Sequence, residues 1–174
     1  MAFDAATGRL VYSSVAFFTS NFVNVTADSI ALVVESHALV LSPTHLVLAS
    51  RARDEPPVFI QASAVLPGTH WAWLLEDDAL QPRRVVSATA QRTTASWLTP
   101  KTLTGTIVAS GFAASCHTEE HAAREALYAP YHAWLRAFPL EHGSAPALGW
   151  PWYHRATRLH GGGIVADLVV RAWS

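Results

Sequence analysis

The strongest constraint on the fold is an abrupt change of grammar at Cys116. Before it, short β-branched and aromatic runs alternate with turn signals, the pattern of a succession of strands. After it, residues 119–137 (EEHAAREALYAPYHAWLRA) are rich in Ala, Glu, Arg and Leu, which favour helix. Such a chain is expected to be all-β over residues 1–117, with a small helical, aromatic C-terminal appendage over 118–174.

Within the β part, Arg9 to Phe18 (RLVYSSVAFF) follows a turn signal at Asp4 to Gly8. Ser29 to Ala49 holds two β-rich runs that meet near Ser36-His37, and Pro43 places Ser42 to Thr44 in a turn because it cannot donate to a ladder. Arg51 to Pro57 reads as a charged loop, Val58 to Ala64 as a strand, and Leu66 to Thr69 as a type II turn. Trp71 to Leu75 and Arg84 to Thr94 continue the pattern, and Thr106 to Ser110 with Phe112 to Cys116 forms a hairpin around Gly111. In the helix, Ala123, Ala126, Leu127, Trp134, Leu135 and nearby Phe138 roughly follow helical spacing as the apolar face, with a kink at Pro130. A Gly- and Pro-bearing loop at Glu141 to Ala147 leads to an aromatic stretch, Trp150 to Trp173, broken at Gly161 to Gly163.

Composition narrows the function classes. Only 14% of the 174 residues are charged and mean hydropathy is +0.20, which excludes a disordered tail and implies a filled core or apolar surface for a partner. A net charge of −1 gives no electrostatic draw toward nucleic acid or anionic lipid. The single cysteine, Cys116, excludes an intramolecular disulfide and a Cys-rich zinc site. Residues 1–10 lack the basic start and apolar core of a signal peptide, and no apolar run reaches the roughly 20 residues a bilayer requires.

Two constellations are able to carry chemistry. In Leu41-Ser42-Pro43-Thr44-His45 a hydroxyl precedes a His by three positions in a turn between apolar strands. The imidazole can protonate a departing amide nitrogen while the hydroxyl polarises the same peptide. A His beside a strand is otherwise most often a packing or capping residue. In Gly105 to His117 the lone thiol ends a strand beside a His; it is either inert packing or a thiol perturbed by an imidazolium. His117-Thr-Glu-Glu-His121 fits an inverted zinc-protease pattern, but a strand end at Cys116 leaves no helix to carry both imidazoles, so no metal or other cofactor is expected. Asn24-Val25-Thr26 is a glycosylation sequon, Glu76-Asp77-Asp78 reads as a solvated turn, and the remaining His residues read as surface or satisfied core.

Asp4 to Phe18, Ser42 to His45, Phe59 to Gly68 and Gly105 to Cys116, in this order and spacing, resemble the Hint (hedgehog/intein) module of hedgehog-type C-terminal autoprocessing domains. The likeness continues through His121 to Leu135 and Trp150-Pro151-Trp152-Tyr153, which are similar to the family's sterol-recognition region. The resemblance implies self-processing: a Cys at the start of the module attacks the preceding carbonyl, and a sterol hydroxyl resolves the thioester. Under it His45 protonates the leaving amide, Ser42 stands where Thr is usual, and Cys116 is the family's second Cys. Trp150, Trp152 and Tyr153 face sterol or a membrane surface, and the upstream domain is the substrate. The expected nucleophile falls upstream of Met1, and Ser20 stands where the family places an Asp as base for the sterol hydroxyl, leaving water or another acceptor open. Processing would occur in the secretory pathway or outside the cell. The alternatives are a non-catalytic Hint-like module binding sterol or protein, and a split fragment acting with a separately encoded partner.

Overall fold

The computed structural model describes residues 1–4, 7, 9–118, 121–137 and 168–169. In chain order the elements are β1 (Ala2–Phe3), β2 (Leu10–Val11), β3 (Val15–Val34), β4 (His37–Leu41), β5 (Leu46–Ser50) and β6 (Val58–Gln61). A 3-10 turn (Ala62–Ala64) precedes β7 (Trp71–Glu76), β8 (Ala79–Arg84), β9 (Ser87–Thr102), β10 (Thr106–Ala109), β11 (Phe112–Ser115), α1 (His121–Ala137) and β12 (Leu168–Val169). Among the described residues the chain is mostly β with one α-helix after the strands, as the change of grammar at Cys116 predicts.

Every residue of β5 is buried, because the strand is covered on both faces. It lies inside a six-stranded sheet of order β10-β11-β5-β7-β8, with β6 also paired to β5. Successive side chains point to opposite faces of a strand. Val47 therefore enters the main core with Leu32, Leu39, Leu41, Leu74 and Phe112, while Leu48 faces a second cluster with Phe3 and Ala113. β3 and β9 pair antiparallel from Val15↔Thr102 to Val33↔Ser87, and β4 continues β3 through a tight turn closing at Val34↔His37. β12 completes this second sheet by pairing Leu168 with both Leu41 and Leu98.

The Pro43 turn, the β5 and β6 runs and the hairpin before Cys116 lie where the sequence places them. Ser110 and Gly111 have φ of 49° and 85°, the left-handed pair of a two-residue hairpin turn. Asp77 and Asp78, at 47° and 60°, form the same kind of turn, so the expected solvated turn is a hairpin that adds β8. That strand is hidden from a pattern reading because Pro82 interrupts it, which is tolerated here on a sheet edge.

Two expectations are corrected. The strand expected over Arg9 to Phe18 is split: Leu10–Val11 forms β2, paired with β1, and only Val15 to Phe18 joins the run from Ser29 in one 20-residue strand, β3. Its middle, TSNFVNVTAD, breaks the alternation at Thr19-Ser20-Asn21 and Phe22-Val23, and three register shifts with Asn24 at φ 56° absorb the irregularity. The helix buries a different face from the one its apolar spacing suggests. Ala123, Ala126 and Leu127 are exposed, whereas Tyr128 and His132 are buried, with His121 and Glu125 half-buried along the same stripe. The side chains of Trp134 and Leu135 lie outside the described set. β3 also exposes Val15, Phe18, Phe22, Val23 and Val25, the apolar surface that the composition anticipates.

Candidate active site

The β4–β5 turn presents Ser42 and His45. Ser42 carbonyl accepts the His45 backbone N–H at 3.1 Å, and the turn is anchored by Ser63 N–H on Pro43 carbonyl (2.9 Å) and Ala62 N–H on His45 carbonyl (2.8 Å). His45 is 1% exposed, and its Nε2 lies 2.9 Å from Ser115 carbonyl. A carbonyl only accepts, so Nε2 carries the proton and Nδ1 presents a lone pair. That Nδ1 and the Ser42 hydroxyl are both buried, and neither has a hydrogen-bond partner among the described residues. Buried polar atoms are ordinarily paired, and unpaired ones gathered at one turn mark a place for something else to bind. Burial, with lesser help from Lys101 and His117, lowers the His45 pKa to about 4. At neutral pH the ring is an uncharged acceptor whose conjugate acid gives its proton up readily.

Cys116 reaches the same place through its backbone. It follows Ser115, its N–H donates to Gly105 carbonyl at 2.7 Å, and its Sγ lies 3.5 Å from the Thr102 hydroxyl, which in turn donates to Thr106 carbonyl at 2.8 Å. Burial pushes the thiol pKa up against the opposing effects of Thr102 and Lys101. No imidazolium activates it, because burial and then Lys101 hold the neighbouring His117 neutral, with its pKa lowered to about 2. Cys116 is thus a protonated, inert thiol beside the site rather than a ready nucleophile.

His117 precedes the helix rather than lying on it, and both its nitrogens are taken. Nδ1 is 3.1 Å from the Lys101 ammonium, and Nε2 is 2.6 Å from Glu125 Oε1. The zinc-protease spacing therefore encodes an ion-pair bridge. His121 Nδ1 lies 2.9 Å from the Ser115 hydroxyl, so it too is engaged with the strand end. Ser20 lies within β3, but its side chain is outside the described set. Trp150, Trp152 and Tyr153 lie wholly outside the described residues.

Sequence reasoning joined Ser42, His45 and Cys116 but missed Lys101, Thr102, Glu125, Tyr128 and His132. Two signals point to them. Lys101 is the lone cation in an otherwise uncharged strand end, WLTPKT, and is buried there. His121, Glu125, Tyr128 and His132 recur at helical spacing, a polar stripe set aside in favour of an apolar one.

A family model described as the Hint module matches residues 1–158. No curated protein matches the chain. The family match spans both the turn carrying Ser42 and His45 and the strand end carrying Cys116, and on that basis the chain belongs to the Hint family.

Proposed function

We propose that this chain is the greater part of a hedgehog-type self-processing domain, which cleaves the peptide preceding the module by thioester chemistry. The observation that carries the reading is the pair of buried polar atoms, Ser42 Oγ and His45 Nδ1, on one turn and without a partner among the described residues. A cysteine thiol contributed from N-terminal to residue 1 adds to the preceding carbonyl, forming a C–S bond as the C–N bond breaks. Its proton passes to His45 Nδ1 and from there to the departing amine. The Ser42 hydroxyl donates to the scissile peptide and distorts it toward the tetrahedral state. The hydroxyl of the acceptor then attacks the thioester, forming a C–O bond and releasing the thiol with the acceptor's proton.

A sterol is the acceptor that best suits the aromatic C-terminal segment, with Trp150, Trp152 and Tyr153 as its contacts, and the exposed apolar residues of β3 supply a surface for lipid. Water is the acceptor where Ser20 fails to serve as base. Processing belongs to the secretory pathway, where the exposed Asn24 sequon is available for glycosylation.

The test is to express the chain behind a reporter domain and a preceding Hint segment that carries the cysteine. Thiol-dependent release of the reporter is expected, with His45→Ala slowing it by about 100-fold or more. The mass of the released reporter, with sterol or with water added, identifies the acceptor. Absence of release, or release indifferent to His45→Ala, overturns the reading in favour of a non-catalytic Hint module.

A further inference from the structure

We propose that Lys101 is a positioning residue for His45 and that Glu125 of α1 holds it in place, so that docking of the helix sets the imidazole of the candidate active site. The inference rests on the reading of His45 as the proton-transfer group.

Lys101 is 7% exposed, and a buried ammonium persists only when paired and hydrogen-bonded. It donates to Cys116 carbonyl and lies 3.1 Å from His117 Nδ1. An ammonium has no lone pair, so His117 must accept at Nδ1 and carry its proton on Nε2. There Glu125 Oε1 accepts it at 2.6 Å. A neutral imidazole thereby links a buried cation on β9 to an anion on α1. The carboxylate gets this close because residue 105 is glycine: a Cβ on Gly105 would stand 1.8 Å from Glu125 Oε1.

The segment clamped by this chain of contacts also fixes His45. Ser115 carbonyl receives the His45 Nε2 proton, and the next carbonyl, of Cys116, receives Lys101. His117 N–H donates to the Ser115 hydroxyl at 2.9 Å, and that hydroxyl is hydrogen-bonded to His121 Nδ1 of α1. His45 and Lys101 thus grip consecutive peptide planes, and helix residues brace the far side of both. The charged and titratable groups bearing on His45 are Lys101 of β9 and His117. Around His117 stand His121, Arg124, Glu125 and His132 of α1. The ammonium, as a like charge, favours the neutral ring that proton transfer requires.

The test is nitrogen-15 NMR of the imidazoles in the full chain, followed through pH. In the wild type, His45 and His117 are both expected as Nε2–H tautomers. Lys101→Met keeps the side-chain length and removes the charge; the His45 midpoint should rise by about half a pH unit or more, roughly a threefold gain in proton affinity. Glu125→Gln should displace the His45 ring signals although α1 does not carry that residue. Unchanged His45 signals in both variants, with helix content retained, would refute the coupling. If Lys101→Met does not fold, the wild type decides alone, since His117 found as the Nδ1–H tautomer breaks the link. Intact coupling in a chain that fails the reporter-release test would reject the processing reading and leave this one standing.

Discussion

Acidification should destabilise this protein well above the pH at which carboxylates protonate. The pKa of His45 is lowered to about 4 and that of His117 to about 2, mainly by burial, against an unfolded value of 6.5. Between the folded and unfolded values the unfolded chain binds a proton that the folded chain refuses. Stability contributed by these neutral rings is therefore complete above pH 6.5 and is lost as pH falls toward 4. Each such proton changes the unfolding free energy by about 1.4 kcal/mol per pH unit, so the two rings together give a slope close to 3 kcal/mol per unit. His121 and His132, also lowered by burial, act in the same direction. Over one unit, from pH 6 to 5, the loss is a sizeable share of the ~5–15 kcal/mol typical of a domain. Urea unfolding at quarter-unit steps across this window, followed by tryptophan fluorescence, measures it directly. A His45→Gln variant should show a shallower slope by about one proton. A flat profile from pH 6.5 to 5 would mean that these rings are solvated or charged in the folded protein, and the site geometry would fall with that result.

Three further outcomes follow from the packing. Phe112→Ala, at a 1%-exposed core position, should lower stability by about 3–5 kcal/mol in denaturant titration. Gly105→Ala forces an L-residue into φ +69° and drives a methyl against the Glu125 carboxylate. It should cost more than the ~1–2 kcal/mol of the backbone strain alone, and the excess should shrink in a Glu125→Ala background. Ser42→Ala removes a buried hydroxyl with no partner among the described residues, so its unfolding free energy should rise, by up to about 1–3 kcal/mol, rather than fall. Reporter release, by contrast, should slow in the same variant.

How much was legible in advance depended on whether a residue's role was local. Pro43, Gly111 and the Asp77-Asp78 pair announce turns because their backbone preferences are intrinsic, and the strands they bound follow from them. Ser42 and His45 share one turn, so their proximity is written in their spacing. The continuity of β3 through TSNFVNVTAD is set by pairing with β9, more than 60 residues away, and local propensity says nothing of it. The helix misled for a related reason. Its apolar residues suggest a dry face, but the surface opposite holds a buried cation and a strand end whose polar groups need partners, so polar and aromatic side chains dock there instead. Lys101 was passed over because a cation usually marks solvent; only the tertiary pairing shows it turned inward.

The two halves of the site make opposite contributions to stability. Ser42 Oγ and His45 Nδ1 are buried without partners among the described residues, a state that costs about 1–3 kcal/mol per group against full solvation. The strand end facing them is tightly bound, with Ser115, Cys116 and His117 tied through His45, Gly105, Lys101, His121 and Glu125. Proton transfer needs such an asymmetry. Under the proposed processing, the atoms that meet the scissile peptide must stay unsatisfied until it arrives, and their mounting must resist relaxing to satisfy them. A hydrophobic pairing of helix and strand end would hold α1 as firmly but would leave the Ser115 and Cys116 carbonyls free to turn. Fixing them takes donors of defined direction, which is what an imidazole and an ammonium supply. The buried cation then requires its own counter-charge, and among the described residues the nearby carboxylate is on α1. The helix is therefore bound into the electrostatics of the site by the same requirement that keeps His45 in its productive tautomer.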